Sequence, residues 1–193
     1  MFSLAYGLDD SVEIDNKTYK VNMAFDNILR FMDMLEDEDF SSEEKVLSGV
    51  EILLGKALNY DTETQYEIFN QLIENFISTN DGIEIETDRN GDPMPVPVED
   101  EIYSLKYDAE YIFSSFKQTY DIDLIEVQGK LHWSKFRAYL SGLPDNTKFK
   151  EVIDIRQREL PSGKGSSKER AQLIKLKNYY ALPGQIVEDG EEE

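Results

Sequence analysis

From Tyr107 to Pro144 the chain reads Y-D-A-E-Y-I-F-S-S-F-K-Q-T-Y-D-I-D-L and, a few residues on, L-H-W-S-K-F-R-A-Y-L-S-G-L-P. Aromatic and aliphatic residues return there every three or four positions, the spacing at which an α-helix gathers side chains on one face. An aspartate-rich turn interrupts the pattern. A stretch of this kind commits the chain to helices that must pack on one another. It also holds the only tryptophan, Trp133, and the only histidine, His132. It contains no nucleophile–base pair, no metal-ligand spacing and no phosphate loop. The most distinctive residues are therefore spent on packing surfaces, and the expected work is binding.

With 193 residues the chain can bury one sizeable core or two small ones. A hydrophobic fraction of 40% with 11% aromatic residues suits a globular protein. The absence of cysteine excludes a disulfide framework and thiolate metal sites, and fits a reducing cytoplasm. The opening Met1-Phe2-Ser3-Leu4-Ala5-Tyr6 has no basic segment and no long apolar run, so no signal peptide is expected. The apolar runs are too short for a membrane span. Charge is uneven. Residues 1–103 hold 25 acids and 6 bases, residues 104–184 hold 10 acids and 14 bases, and the last nine residues add five acids, for a net −20. The acidic half argues against nucleic-acid binding, because phosphate recognition needs cations. The basic part can meet an acidic partner, or the acidic half of its own or a neighbouring molecule.

Alternating Val12, Ile14, Tyr19 and Val21 about Asp15-Asn16-Lys17 predict a hairpin, read as a lid on a helical core in preference to an edge for strand addition. A helix is predicted from Phe25 to Leu35, followed by the acidic run Glu36–Asp39. Ser41 or Ser42 caps a second helix, with Glu44 placed for a capping box and Gly55 as its stop. Asp61 or Thr62 caps a third, with Tyr66, Phe69, Leu72, Ile73, Phe76 and Ile77 on one side. Asp81-Gly82, Asn90-Gly91 and the alternation Pro93, Pro95, Pro97 predict a connector. Beyond it, helices are predicted from Asp108 to Tyr120, from about Ile125 or Leu131 to Leu143, from Asn146 or Thr147 to Leu160, and from Lys168 to Tyr180. The fold expected is mostly α, a helical bundle of about seven helices with an N-terminal β-hairpin. Its organisation is an acidic module over 1–80, a connector over 81–104, a helical module over 105–184 and an acidic tail over 185–193.

Three stretches mimic known chemistry. Asp88 to Glu99 has the outline of a calcium loop, but Pro93 stands where that loop needs glycine. Gly163-Lys164-Gly165-Ser166-Ser167 lacks the glycine spacing and preceding strand of a phosphate loop. His132 has no second histidine or cysteine to share a metal with, and reads as a structural residue. No cofactor, metal or catalytic residue is assigned, and the chain is read as a non-enzyme.

The order of these motifs resembles a known family. Short tail proteins of siphophages and prophages of Gram-positive bacteria, the gene-product-fifteen type, carry D-A-E-x-I-x-x-S-F, then a tyrosine and an I-D-L-like segment, then L-H-W-x-K-F, an I-R-like helix and a closing Y-A-L-P. Here these fall at Asp108–Phe116, Tyr120–Leu124, Leu131–Phe136, Ile155–Arg156 and Tyr180–Pro183. The V-E-I-D-N-K-x-Y hairpin, the F-D-N helix and the S-S-E-E-K helix start look similar too. The chain departs at Ser134, where a second aromatic is expected after Trp133. The resemblance implies a tail assembly chaperone in the host bacterial cytoplasm. It would bind the tape measure protein, keep it soluble and be absent from the mature virion. Help in recruiting the tail tube protein, and self-association, are further contacts consistent with it. A structural tail component retained in the virion is the alternative. Tyr111, Phe116, Tyr120, Trp133, Phe136 and Tyr139 are the candidate partner-binding residues, competing with core packing for the same side chains. Trp133 is expected mid-helix and buried against the helix of Ile112 and Phe116.

Overall fold

The computed structural model describes residues 3–77, 102–163 and 165–185. Of the expected connector over 81–104, residues 81–101 lie outside the described residues with the calcium-loop mimic they contain, as do Lys164 and residues 186–193 of the expected tail. The chain divides into two units. The first is Met1–Val96 with Val127–Ala138, and the second is Pro97–Glu126 with Tyr139–Glu193. Seven α-helices and one two-stranded antiparallel sheet are found among the described residues.

The first unit opens with strands β1, Ser11–Ile14, and β2, Lys17–Lys20, in the register Val12↔Tyr19 and Ile14↔Lys17. Asp15 and Asn16 form the two-residue turn, both at positive φ (49° and 57°). That is the handedness a tight hairpin demands, and Asp and Asn tolerate it. Val12 and Ile14 point inward, with Val21 buried just beyond β2. The Tyr60 hydroxyl, bonded to Asp15, is pushed up to about 12.

Helix α1, Phe25–Glu36, buries Phe25, Ile28, Phe31 and Met34, one face of the helix. Helix α2, Ser42–Leu54, starts on a complete Ser41–Glu44 capping box, and the bonds from Ser41 hold the Glu44 carboxyl below its usual range. It stops at Gly55, which takes a left-handed φ of 69°. Helix α3, Thr62–Leu72, is capped by Asp61. Its expected continuation to Ile77 is present but widened into a π turn over Ile73–Ile77. The wider turn shifts the register, so Ile73 and Ile77 join Leu72 in the core while Phe76 is half-buried. Tyr66 is half-buried too, and Ile68, outside the expected stripe, is fully interior.

The segment 127–138 closes this unit across a long sequence interval. Phe25 N–H donates to the Leu131 carbonyl and Trp133 N–H to the Met23 carbonyl, at 2.9 and 2.7 Å. Buried Asp26 accepts from Gly129 N–H at 2.7 Å and pairs with Arg30. Asn27 donates to the carbonyls of Asn22 and Ile52, both at 3.0 Å, tying the start of α1 to the end of α2.

In the second unit, α4, Ala109–Tyr120, ends at Asp121 with φ 55°, the expected turn. Residues 124–130 are turns rather than helix, so α5 spans only Trp133–Ser141 and Trp133 is its first residue, not a mid-helix one. Trp133 to Ala138 count with the first unit and Tyr139 onward with the second. Helix α6 is Lys148–Gln157, shorter than expected because Arg158 leaves helical geometry (ψ 128°) ahead of Pro161. Helix α7 is Ser167–Tyr179. Buried Ser115 links α4 to α6: its hydroxyl donates to the Tyr111 carbonyl at 2.6 Å and accepts from Phe149 N–H at 3.1 Å.

Gly49 is a close-approach glycine in α2. A Cβ built there lies 2.6 Å from Phe69 Cε2 and 2.9 Å from Phe31 Cε2. Gly49→Ala should therefore force both rings aside at a cost of about 1–3 kcal/mol. A thermal melt should show Tm lowered by roughly 3–10 °C. An unchanged or raised Tm would show that the rings yield freely.

Candidate partner-binding surface

The centre of the second unit is a buried bidentate pair. Arg156 on α6 donates through Nη1 and Nη2 to the two Asp108 oxygens, each at 2.7 Å. Both side chains are shielded from solvent. The same guanidinium donates to the Ile102 carbonyl at 3.1 Å and to the Tyr180 carbonyl at 2.6 Å. Lys177 donates to the Arg156 carbonyl at 2.8 Å, and Ser104 N–H donates to Asp108. One arginine thus fixes the entry to α4, the body of α6 and the exit from α7. Because Asp108 is spent on Arg156 and Ser104, it makes no side-chain cap for its own helix.

This network sets the position of Tyr180, around which a tyrosine cluster is built. Its ring meets Tyr111 edge-on at 6.0 Å and Tyr179 at 4.8 Å. The Lys148 ammonium donates to its hydroxyl at 2.8 Å, a bond that raises the lysine above its ordinary range. Burial, and then the neighbouring Tyr180, push the Tyr111 hydroxyl up. A second cluster joins Tyr120 and Tyr139 at 4.8 Å, each also meeting Phe116 edge-on. Tyr120 donates its hydroxyl to the Tyr139 carbonyl at 2.9 Å, and burial raises its pKa. Tyr103 packs edge-on against Phe149 and remains partly exposed, as does Tyr107.

The structure places the six candidates in different settings. Phe116, Trp133 and Phe136 are buried. Tyr111 and Tyr120 are half-buried, and Tyr139 is exposed at its rim. Trp133 stacks on Phe136 at 5.6 Å, and Phe136 stacks on Phe25 of α1 at 5.0 Å. The burial expected of Trp133 is found. Its stacking lies within the first unit, whereas Ile112 and Phe116 belong to the second. The surface members are therefore the tyrosines, which pair an apolar ring with a polar tip suited to protein interfaces. Sequence reading marked Tyr180 only as the start of the closing Y-A-L-P motif, and did not single out Tyr179 or Lys148. The cues were that motif and the Y-Y doublet at the end of the last predicted helix, and nothing local ties either to Tyr111.

His132 has two polar partners. Its Nδ1 accepts from Ser134 N–H at 3.0 Å, capping α5, and its Nε2 lies 2.9 Å from Asp10 Oδ1. Among the described residues no group of three or more His, Cys, Asp or Glu is arranged to hold a metal ion. Among them, too, no helix is long and apolar enough to cross a membrane.

A family model described as Bacteriophage Gp15 protein matches residues 7–182. The match spans nearly the whole chain, and the chain belongs to this family. No curated protein and no solved structure matches it.

Substitutions at Trp133 and at the Arg156–Asp108 pair test the supporting frame. Trp133→Ala removes a fully interior ring and should cost about 3–5 kcal/mol. Equilibrium denaturation followed by the fluorescence of this single tryptophan in the parent, and by circular dichroism in the variant, measures the loss. A variant as stable as the parent would contradict a core role. Arg156→Ala leaves the Asp108 carboxylate buried without its partner and should also cost about 3–5 kcal/mol. Arg156→Met combined with Asp108→Leu should lose clearly less. Equal losses in the single and double variants would show that the pair's charge is not what matters.

Proposed function

We propose that the chain is a non-catalytic tail assembly chaperone that binds the tape measure protein of its phage and keeps it soluble while the tail is built. The observation that carries this reading is the family match over residues 7–182. It agrees with the motif order from Asp108 to Pro183, which resembles chaperones of siphophages of Gram-positive bacteria. The geometry supplies a means. Half-exposed tyrosines on a rigid helical frame give broad apolar contact at low entropic cost, suited to an amphipathic client helix. The strongly acidic N-terminal half would hold such a complex in solution. The work would take place in the host cytoplasm, with the protein released before the virion is complete.

Co-expression with the tape measure protein of the same phage is the direct test. The expected outcome is a several-fold larger soluble fraction of the tape measure protein and a complex that survives gel filtration. A tape measure protein equally soluble alone, with no co-eluting chain, would sink the proposal. Mass spectrometry of purified virions should find the chain absent. Finding it at stoichiometric level would instead make it a structural tail component.

A further inference from the structure

Two exposed helix stripes on this chain carry opposite charges at similar spacing. On α7 the stripe is Lys168, Gln172, Lys175 and Tyr179, at helical spacing and all exposed. Tyr179 is 77% exposed, and Leu176 on its flank is 43% exposed. The stripe carries no acid. Exposed Ala171 borders it between the two lysines, and exposed Glu169 borders it on the side of Leu176. On α2 the stripe is Glu43, Leu47 and Glu51, four residues apart. Leu47 is 42% exposed between the two acids, and Phe40, 36% exposed, precedes the helix.

Set antiparallel, the two stripes fall into register. Glu43 and Glu51 are about 12 Å apart along α2, and Lys168 and Lys175 are about 10.5 Å apart along α7. With Glu51 opposite Lys168 and Glu43 opposite Lys175, Leu47 comes level with Gln172 beside the small Ala171, and Phe40 falls toward Tyr179. The antiparallel setting also puts the positive end of each helix dipole beside the negative end of the other. Both apolar anchors are exposed in the chain itself.

We infer that the α2 stripe of one molecule docks on the α7 stripe of a second copy of this chain. The contact is heterologous, since it joins two different surfaces. Two copies can exchange both contacts, or a row of copies can form. A single helix pair buries less than about 1,200 Å², the range of weak and transient complexes, so association belongs at about 10–100 µM. The net charge of −20 opposes it at long range. At about 0.15 M salt, however, screening over roughly 8 Å leaves the local match to decide. The inference stands apart from the chaperone reading, because it concerns the chain alone.

Sedimentation velocity on the purified chain, in a concentration series to about 200 µM at about 0.15 M salt, tests it. The parent should rise above the 22.3 kDa of one chain as concentration increases. The Lys168→Glu/Lys175→Glu variant and the Glu43→Lys/Glu51→Lys variant should each weaken self-association by about tenfold or more. An equimolar mixture of the two should recover it, since each then offers the charge the other lacks. Circular dichroism checks the fold of each variant. Should a double reversal fail to fold, Leu47→Ser and Tyr179→Ser, both at exposed sites, should each weaken association about tenfold. A parent that stays monomeric throughout, charge variants that associate like the parent, or folded variants whose mixture stays monomeric would each overturn the inference. So would association that appears only when the tape measure protein is present.

Discussion

The Arg156–Asp108 pair is the constraint on which the second unit and its surface depend. A guanidinium removed from water is costly unless all its donors are used. Here Asp108 takes two, and the carbonyls of Ile102 and Tyr180 take others, so burial of the charge requires all three segments at once. The residue before α4, the helix α6 and the residue after α7 are held at one point. Tyr180 is placed as a consequence, and with it the cluster that includes Tyr111, Tyr179 and Lys148. A surface set by a buried ion pair is preorganised, and a partner would not bear the entropy of ordering it.

The first unit solves a similar problem with neutral and singly charged groups. Asp26, Asn27 and Gln65 are buried polar side chains, each bonded to backbone groups that lack partners within a helix or strand. Asn27 reads two carbonyls at once, which fixes the approach of α1 to α2. Gly49 then lets the Phe31 and Phe69 rings reach the backbone of α2. The segment 127–138 joins the same unit through main-chain bonds to residues 23–25, and brings Phe136 onto Phe25. Close packing of this kind leaves little room for side chains to serve two purposes. The buried aromatics Phe136 and Trp133 therefore act as frame, and the tyrosines carry the accessible chemistry.

Charge and exposure combine in one pattern. The acidic first half and the more basic helices after Ser104 keep the chain strongly negative overall while leaving local surfaces of opposite sign. The apolar side chains left exposed on α2 and α7 stand among those charges. Such mixed stripes bind weakly and selectively, because apolar contact supplies attraction and charge sets register.

Sequence alone determined the elements whose causes are local. The hairpin turn follows from Asp15-Asn16, the start of α2 from the Ser41–Glu44 box and its end from Gly55, because each rests on bonds or dihedrals within a few residues. The mostly helical class and the family follow from side-chain period and motif order. Tertiary structure decided what depends on distant partners. The π turn at Ile73–Ile77, the short α5, the return of residues 127–138 to the N-terminal unit, and the division of the candidate aromatics into buried and exposed are of this kind. So is the Arg156 network, whose partners lie 21 to 54 residues away. Helical period says that a face is apolar and does not say what covers it. Burial is a property of the neighbour that arrives, and that neighbour is chosen by the fold.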